Sequence, residues 1–318
     1  MDKAKVLVTG IIPEEGLVEL RQNFDVTYEP EKETREWILD NLKDYDGLLL
    51  MGTKADKELI DAGTNLKIIT ANGVGFDHID IEYAKEKGIV VSNCPTGVRV
   101  PTAEMTFALI LATVRRLSFY DKVVRNGDWI DVSEQQYMGM SLQGKTLGIY
   151  GMGRVGSEVG HFCQALGMNV IYNDVRRLDA DLEKELDVKY VDFDTLVSES
   201  DVITLHAPAL PSTEGIFNSE VFKKMKNTAY LVNAARGVLV KENDLVNALQ
   251  SGEIAGAGLD VFEHEPEVSS ELRALDNVIM APHAGTGTLE ARTAIAKEAS
   301  NNLISFLQKG EPLNYVNA

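Results

Sequence analysis

TLGIYGMGRVGSEVG, residues 146–160, runs from an apolar, strand-like segment through three glycines into a helical pattern. Gly151, Gly153 and Gly156 stand in GxGxxG spacing. In that arrangement the first glycine permits a tight turn, the second lets the backbone approach a pyrophosphate, and the third allows the helix to pack closely on the strand. Unpaired N–H groups at the helix start then face the anion. Alone the motif is a weak signal, since glycine-rich turns are common. Its surroundings strengthen it. The next strand, NVIYND, ends at Asp174, eighteen positions after Gly156, close to the spacing at which an acidic residue accepts bonds from a ribose 2′-hydroxyl. A carboxylate there repels a 2′-phosphate, so NAD is expected over NADP. Arg176 and Arg177, just downstream, keep NADP in contention.

Around this stretch lie six apolar runs, TLGIYG, NVIYND, VITLHAP, AYLVNAARG, GAGLDVF and NVIMAPHAG, most of them separated by amphipathic segments. They predict a six-stranded, doubly wound dinucleotide fold. Upstream, VLV at 6–8, GLLLM at 47–51, KIITA at 67–71 and IVVSN at 89–93 alternate with helical patterns and read as a separate parallel α/β sheet. ALILATVRRLSFYDKVVRNG reads as one long helix closing at Gly127 and bridging the two sets. The last amphipathic segment, LEARTAIAKEASNNLISFLQKG, is followed only by the short LNYV, and is expected to return and cover the first set.

The 318 residues, 44% of them hydrophobic, suit two domains of ordinary size. A net charge of -18 argues against nucleic acid and anionic lipid as partners, because the average field repels polyanions. An anionic substrate must therefore find a local positive pocket. Cys94 and Cys163 are the two cysteines, in neither a disulfide framework nor a metal-ligand spacing, so a reducing cytoplasm and no metal are expected. MDKAKVLVTG lacks signal-peptide character, and the apolar run FALILA falls far short of the roughly 18 residues a bilayer span requires.

In a doubly wound sheet, ligands sit beyond the carboxyl ends of the strands. His206 follows VITL, Asn233 and Arg236 follow AYLV, Asp260 and then Glu265 follow AGL, and Pro282 and His283 follow VIM. Reduction of a 2-keto acid needs a cation for the carboxylate, a proton donor for the developing alkoxide, and a partner that keeps the donor protonated. Arg236, His283 and Glu265 match those roles. Glu263 and His264, beside Glu265 in GLDVFEHEP (258–266), read as a solvated charged turn. His161 reads as a packing or surface residue, His78 as the end of a turn, and Met138 and Met140 as interface or core filler.

NAARGVLVKENDLVNALQSGEIAGAGLDVFEHEP, followed by APHAG, resembles the D-isomer-specific 2-hydroxyacid dehydrogenases, and the resemblance covers nearly the whole chain. It implies a Rossmann NAD-binding domain, residues 101–287, inserted in a discontinuous flavodoxin-like substrate domain made of 1–100 and 288–318. It implies Arg236, Glu265 and His283 as the catalytic set. The cofactor is expected against Gly151, Gly153, Arg154, Val155, Gly156 and Asp174, against His206, Ala207 and Pro208, and against Thr102, Ala234, Asp260 and Gly285. Asp260 is the counterpart of the family's carboxamide-holding aspartate. The loop ANGVGFD (71–77) resembles the family's substrate loop, in which N–H groups near Val74 and Gly75 receive the substrate carboxylate beside Arg236 and His283.

The chain departs from the family pattern at Met105, where a histidine is frequent, and at Phe76, His78, Arg99 and Pro101, which blur the substrate. TAEMTFALILATVRR is most similar to the branch handling glyoxylate, hydroxypyruvate and 2-ketogluconate. D-lactate or D-3-phosphoglycerate specificity, or a dinucleotide-sensing interaction protein of the same fold, are the alternatives. A homodimer through the cofactor domain is implied by the family, with the apolar helix at 105–117 in support.

Overall fold

A computed structural model describes residues 3–317. The chain divides into two compact units, one running from the N-terminus to Pro101 and resuming at Thr286, the other spanning Thr102–Gly285. The expected boundaries, 100/101 and 287/288, differ from these by one and two residues.

The first unit holds a five-stranded sheet of β1 (Lys5–Val8), β2 (Asp25–Thr27), β3 (Gly47–Leu50), β4 (Ile68–Ala71) and β5 (Val90–Ser92), in the order β2-β1-β3-β4-β5. All pairs are parallel, as in flavodoxin-like sheets. Every residue of β3 and β4 is buried, which is why they read as unbroken apolar runs rather than as an alternation. β2 was not anticipated. DVT is three residues long, no residue of it is fully buried, and it lies at the edge, so burial left no pattern in it. The helix Leu289–Lys309 belongs to this unit. Its Ile295, Ala296, Ala299 and Leu303 pack with Val6, Val8, Leu17 and Leu49. Ser300 Oγ donates to Gly16 O at 2.9 Å and Asn302 Nδ2 to Asn93 O at 2.8 Å, so the polar groups on the buried face are satisfied.

The second unit holds β6 (Thr146–Tyr150), β7 (Asn169–Asn173), β8 (Val188–Tyr190), β9 (Val202–Leu205), β10 (Tyr230–Asn233), β11 (Gly256–Leu259) and β12 (Val278–Met280). Their order is β12-β11-β10-β9-β6-β7-β8, all parallel. This is a Rossmann sheet whose strand order reverses between β6 and β9, the crevice where ligands bind in such folds. The sheet has seven strands rather than six. The additional β8, VKY, is a half-buried edge strand with a lysine at its centre, too short and polar to register as an apolar run.

The expected single bridging helix is two. One covers Arg99–Val114 and the next Leu117–Arg125, with Arg116 between them in the left-handed region at φ 54°. The carbonyl of Val114 is taken by Met140 N at 2.8 Å, which removes it from the helical ladder and ends the first helix there. Among the described residues no helix is long and apolar enough to cross a membrane, and no cluster of three metal-ligating side chains occurs.

Candidate active site

The glycine turn is built almost wholly from backbone. Gly151 has φ 97°, and a Cβ there would lie 2.7 Å from Ala207 N, so the turn is pressed against the His206–Ala207 peptide that follows β9. Gly156 faces the Gly151 carbonyl, which a Cβ would approach to 2.4 Å. Gly153 is different. It is exposed, and a Cβ there would meet nothing within 4 Å. It is the N-cap of the helix Arg154–Gln164, and its position offers no side-chain cap to the first N–H groups. Bare amides above an open backbone form a cradle suited to a pyrophosphate, with Arg154 and Val155 opening the helix. Asp174, after β7, accepts from Met152 N at 2.8 Å and from Arg176 N at 3.0 Å, which fixes its carboxylate beside the turn. These residues fit a dinucleotide. Of the two neighbouring cations, Arg177 is forked onto Glu183 by Nε and Nη2, both at 2.9 Å, and lies 5.4 Å from the Tyr190 ring.

Three further segments meet along the same edge of the sheet. After β10, buried Asn233 folds its amide back on the chain: Oδ1 accepts from Ala235 N at 3.1 Å, and Nδ2 donates to Arg236 O at 2.8 Å. That turn presents Arg236, whose Nη1 donates to Ala235 O at 2.8 Å. After β11, Asp260 is 1% exposed, and both its oxygens accept backbone amides, Ala284 N and Gly285 N, each at 2.7 Å. His283 N donates to Asp260 O at 2.8 Å. His283 itself sits at φ 53°, a conformation few side-chain-bearing residues adopt, and the Asp260 carboxylate holds the turn that imposes it. Burial raises the Asp260 carboxyl above its ordinary value, and the two amides oppose that.

His283 Nδ1 lies 2.7 Å from Glu265 Oε2. The other oxygen of Glu265 accepts from Phe262 N at 3.0 Å, so this carboxylate cannot swing freely. Burial pushes the Glu265 carboxyl up, but the His283 ring, the Phe262 amide and the Arg236 charge together hold it below its usual range. The bond to Glu265 raises His283 above the ordinary imidazole value, against its partial burial and the repulsion of Arg236. Its ring is half-exposed, and the neighbouring Glu265 carboxylate favours the protonated form.

Other anticipated residues fall around these. Thr102 lies near Gly285, whose Cβ would come within 3.5 Å of the Thr102 side chain and 3.2 Å of Asp260 Oδ2. Ala234 is buried directly after Asn233. His206 is 3.0 Å from Thr204 Oγ1, and loss of hydration drives it down to about 3, leaving a neutral ring beside Ala207 and Pro208. Val74 and Gly75 lie in the first unit, after β4, where Asn93 Nδ2 holds Val74 O at 2.7 Å. His161 and His264 are exposed, and Met140 packs against the core.

Glu263 departs from the solvated turn expected of it. Its side chain is 17% exposed, with Oε1 3.2 Å from Lys241 Nζ and Oε2 accepting from Glu242 N at 3.0 Å. Its partners lie more than twenty residues away, and local composition carries no trace of them.

A seven-stranded Rossmann sheet with this glycine turn and polar rim defines a dinucleotide-binding oxidoreductase. The family model for the NAD-binding domain of D-isomer specific 2-hydroxyacid dehydrogenases matches residues 107–285. A protein of Staphylococcus aureus (strain MRSA252) named as a 2-hydroxyacid dehydrogenase is 42% identical over 98% of this chain and 99% of its own length. A glyoxylate reductase structure from Paecilomyes thermophila superposes with a TM-score of 0.90 at 34% identity, covering 99% of both chains. An NADPH-dependent glyoxylate/hydroxypyruvate reductase of Sinorhizobium meliloti, solved with NADP and malonate, gives 0.86 at 30% identity over 99% of this chain and 97% of its own. The chain belongs to the D-isomer specific 2-hydroxyacid dehydrogenase family. It is an oxidoreductase acting on the CH–OH group of 2-hydroxy acids.

Proposed function

We propose that the protein reduces a small 2-keto acid of the glyoxylate, hydroxypyruvate or 2-ketogluconate type to the D-2-hydroxy acid, with Arg236, Glu265 and His283 as its catalytic residues. The observation that carries this is the 2.7 Å bond between His283 and Glu265, within the field of the Arg236 charge. A nicotinamide dinucleotide, when bound, supplies the hydride equivalent. The guanidinium of Arg236 forks onto the substrate and polarises its keto oxygen. His283, kept protonated by Glu265, delivers a proton from its second ring nitrogen to the developing alkoxide. Val74 and Gly75 offer N–H groups to the substrate carboxylate. The names of the glyoxylate reductases from Paecilomyes and Sinorhizobium support the substrate class.

NAD is the proposed cofactor, held at Gly151–Gly156 and Asp174, with Asp260, Thr102 and Gly285 on the nicotinamide side. The oriented Asp174 carboxylate and the engagement of Arg177 by Glu183 support it over NADP. The protein acts in the cytoplasm in this reading, consistent with two buried free cysteines. It works as a homodimer through the cofactor domain. No residue of the Leu117–Arg125 helix is buried, while Leu117 (60%), Trp129 (89%) and Val132 (57%) expose apolar surface nearby in sequence. Light scattering reads the dimer directly. Oxidation of NADH and NADPH with glyoxylate, hydroxypyruvate, 2-ketogluconate, pyruvate and branched 2-keto acids tests the activity. Turnover of the first three with NADH is the expected result, and binding of dinucleotide without turnover of any 2-keto acid contradicts it.

A further inference from the structure

We propose that Glu263, clasped to Lys241, is a positioning residue that sets the geometry of the Glu265–His283 pair; this rests on the catalytic reading above. Glu265 sits on a short excursion between β11 and Ser269, and Glu263 is where that excursion is tied down. Lys241 stands at the N-cap of the helix Glu242–Ser251, and its side chain makes no capping bond. Glu263 does that work from across the fold, accepting from Glu242 N at 3.0 Å while its other oxygen pairs with Lys241 Nζ at 3.2 Å. Glu242 answers from the helix. Its Oε2 accepts from Glu263 N at 3.4 Å and its Oε1 from Ser269 N at 3.2 Å, so both ends of the excursion are fastened to one helix start.

The same helix follows directly on the Arg236 turn, and Gly237 packs on the Phe262–Glu263 peptide so closely that a Cβ would stand 1.8 Å from Phe262 O. Phe262 is also the residue whose amide anchors Glu265. The clasp therefore joins the segment that carries the cation to the segment that carries the carboxylate. Loosening it lets Glu265 move relative to His283. The charged groups that act on His283 are Glu265, Arg236 and Asp260. Those around the clasp are Lys241, Glu242, Glu263 and, 3.7 Å from Lys241, Glu214.

The test is the pH profile of kcat/KM for keto-acid reduction, read at its basic limb, in Glu263→Ala, Glu263→Gln, Lys241→Met and Glu265→Gln. Loss of positioning weakens the Glu265–His283 bond, so the limb moves to lower pH by about 0.5 unit in Glu263→Ala. Glu263→Gln keeps an acceptor for Glu242 N and shifts less. Lys241→Met separates positioning from simple charge, since removing a distant cation by itself raises the imidazole pKa, whereas opening the clasp lowers it. A downward shift in Lys241→Met is expected. An upward shift, or limbs that stay in place while thermal stability falls, overturns the inference and leaves Glu263 a structural residue. If Glu263→Ala does not fold, Glu263→Gln and Lys241→Met decide. A shifted Glu265→Gln limb with unshifted clasp variants removes this inference alone. An unshifted Glu265→Gln limb removes the catalytic reading and the inference with it.

Discussion

The glycine turn at 151–156 and the rim made by residues 233–237, 260–265 and 283–285 lie along one edge of the same sheet, yet they are built in opposite ways. The turn and its acid span 24 residues, and its central position, Gly153, faces open space. The rim gathers segments 50 residues apart and leaves little slack. Asn233 and Asp260 are each 1% exposed with both polar atoms of each side chain bonded to neighbouring backbone, and Gly237 is packed onto a peptide bond. A phosphate cradle needs room and bare amides. A proton donor needs its neighbours held to within tenths of an ångström, because the hydrogen bond that sets its pKa weakens steeply with geometry.

The rim is broken most severely at Arg236. Arg236→Lys keeps the charge and loses the fork, and should lower kcat/KM by about 100-fold or more while leaving the melting temperature in place. Near-normal kcat/KM with reduced stability makes Arg236 an ion-pair residue and moves the site elsewhere. The contrast itself is measured by a pair of glycine variants. Gly237→Ala forces a methyl against Phe262 O and should cost about 1–3 kcal/mol or more in stability, with activity falling alongside. Gly153→Ala should leave stability unchanged and raise the dinucleotide KM about tenfold, since its methyl fills the cradle rather than the core. Equal stability losses in the two variants dissolve the distinction.

The same contrast explains what sequence could reveal. The turn is local, so the glycine spacing together with the flanking strand, helix and acid marks Gly151, Gly153, Gly156 and Asp174. The shared placement of Arg236, Glu265 and His283 is legible because parallel strands bring the residues after each apolar run to one edge. β2 and β8 are not, being short edge strands whose burial imposes no pattern. The break at Arg116 depends on the Val114 carbonyl, which accepts from the amide of Met140, 26 residues after Val114. Glu263 reads as solvated in the sequence because its partners, Lys241 and Glu242, come together with it only in the folded chain.

A gentler change bears on the turn. Arg177 is withheld from the cofactor side by Glu183, which Tyr172 also steadies through a 2.6 Å bond. Glu183→Gln should free it and raise kcat/KM for NADPH about threefold, with NADH little affected, since the Arg177 side of the pair is exposed. No gain with NADPH leaves Arg176 as the cation to examine.

In the proposed mechanism Glu265 keeps His283 protonated for reduction. His283 is raised above its ordinary value mainly by the bond to Glu265, so reduction should persist to higher pH than an unpaired imidazole allows and fail as the ring loses its proton. Glu265→Gln preserves shape and removes the charge. Measured as kcat/KM for 2-keto acid reduction across pH, its basic limb should lie about one unit below that of the unaltered protein, with activity partly recovered in acid. A Glu265→Gln profile superimposable on the parent contradicts the account.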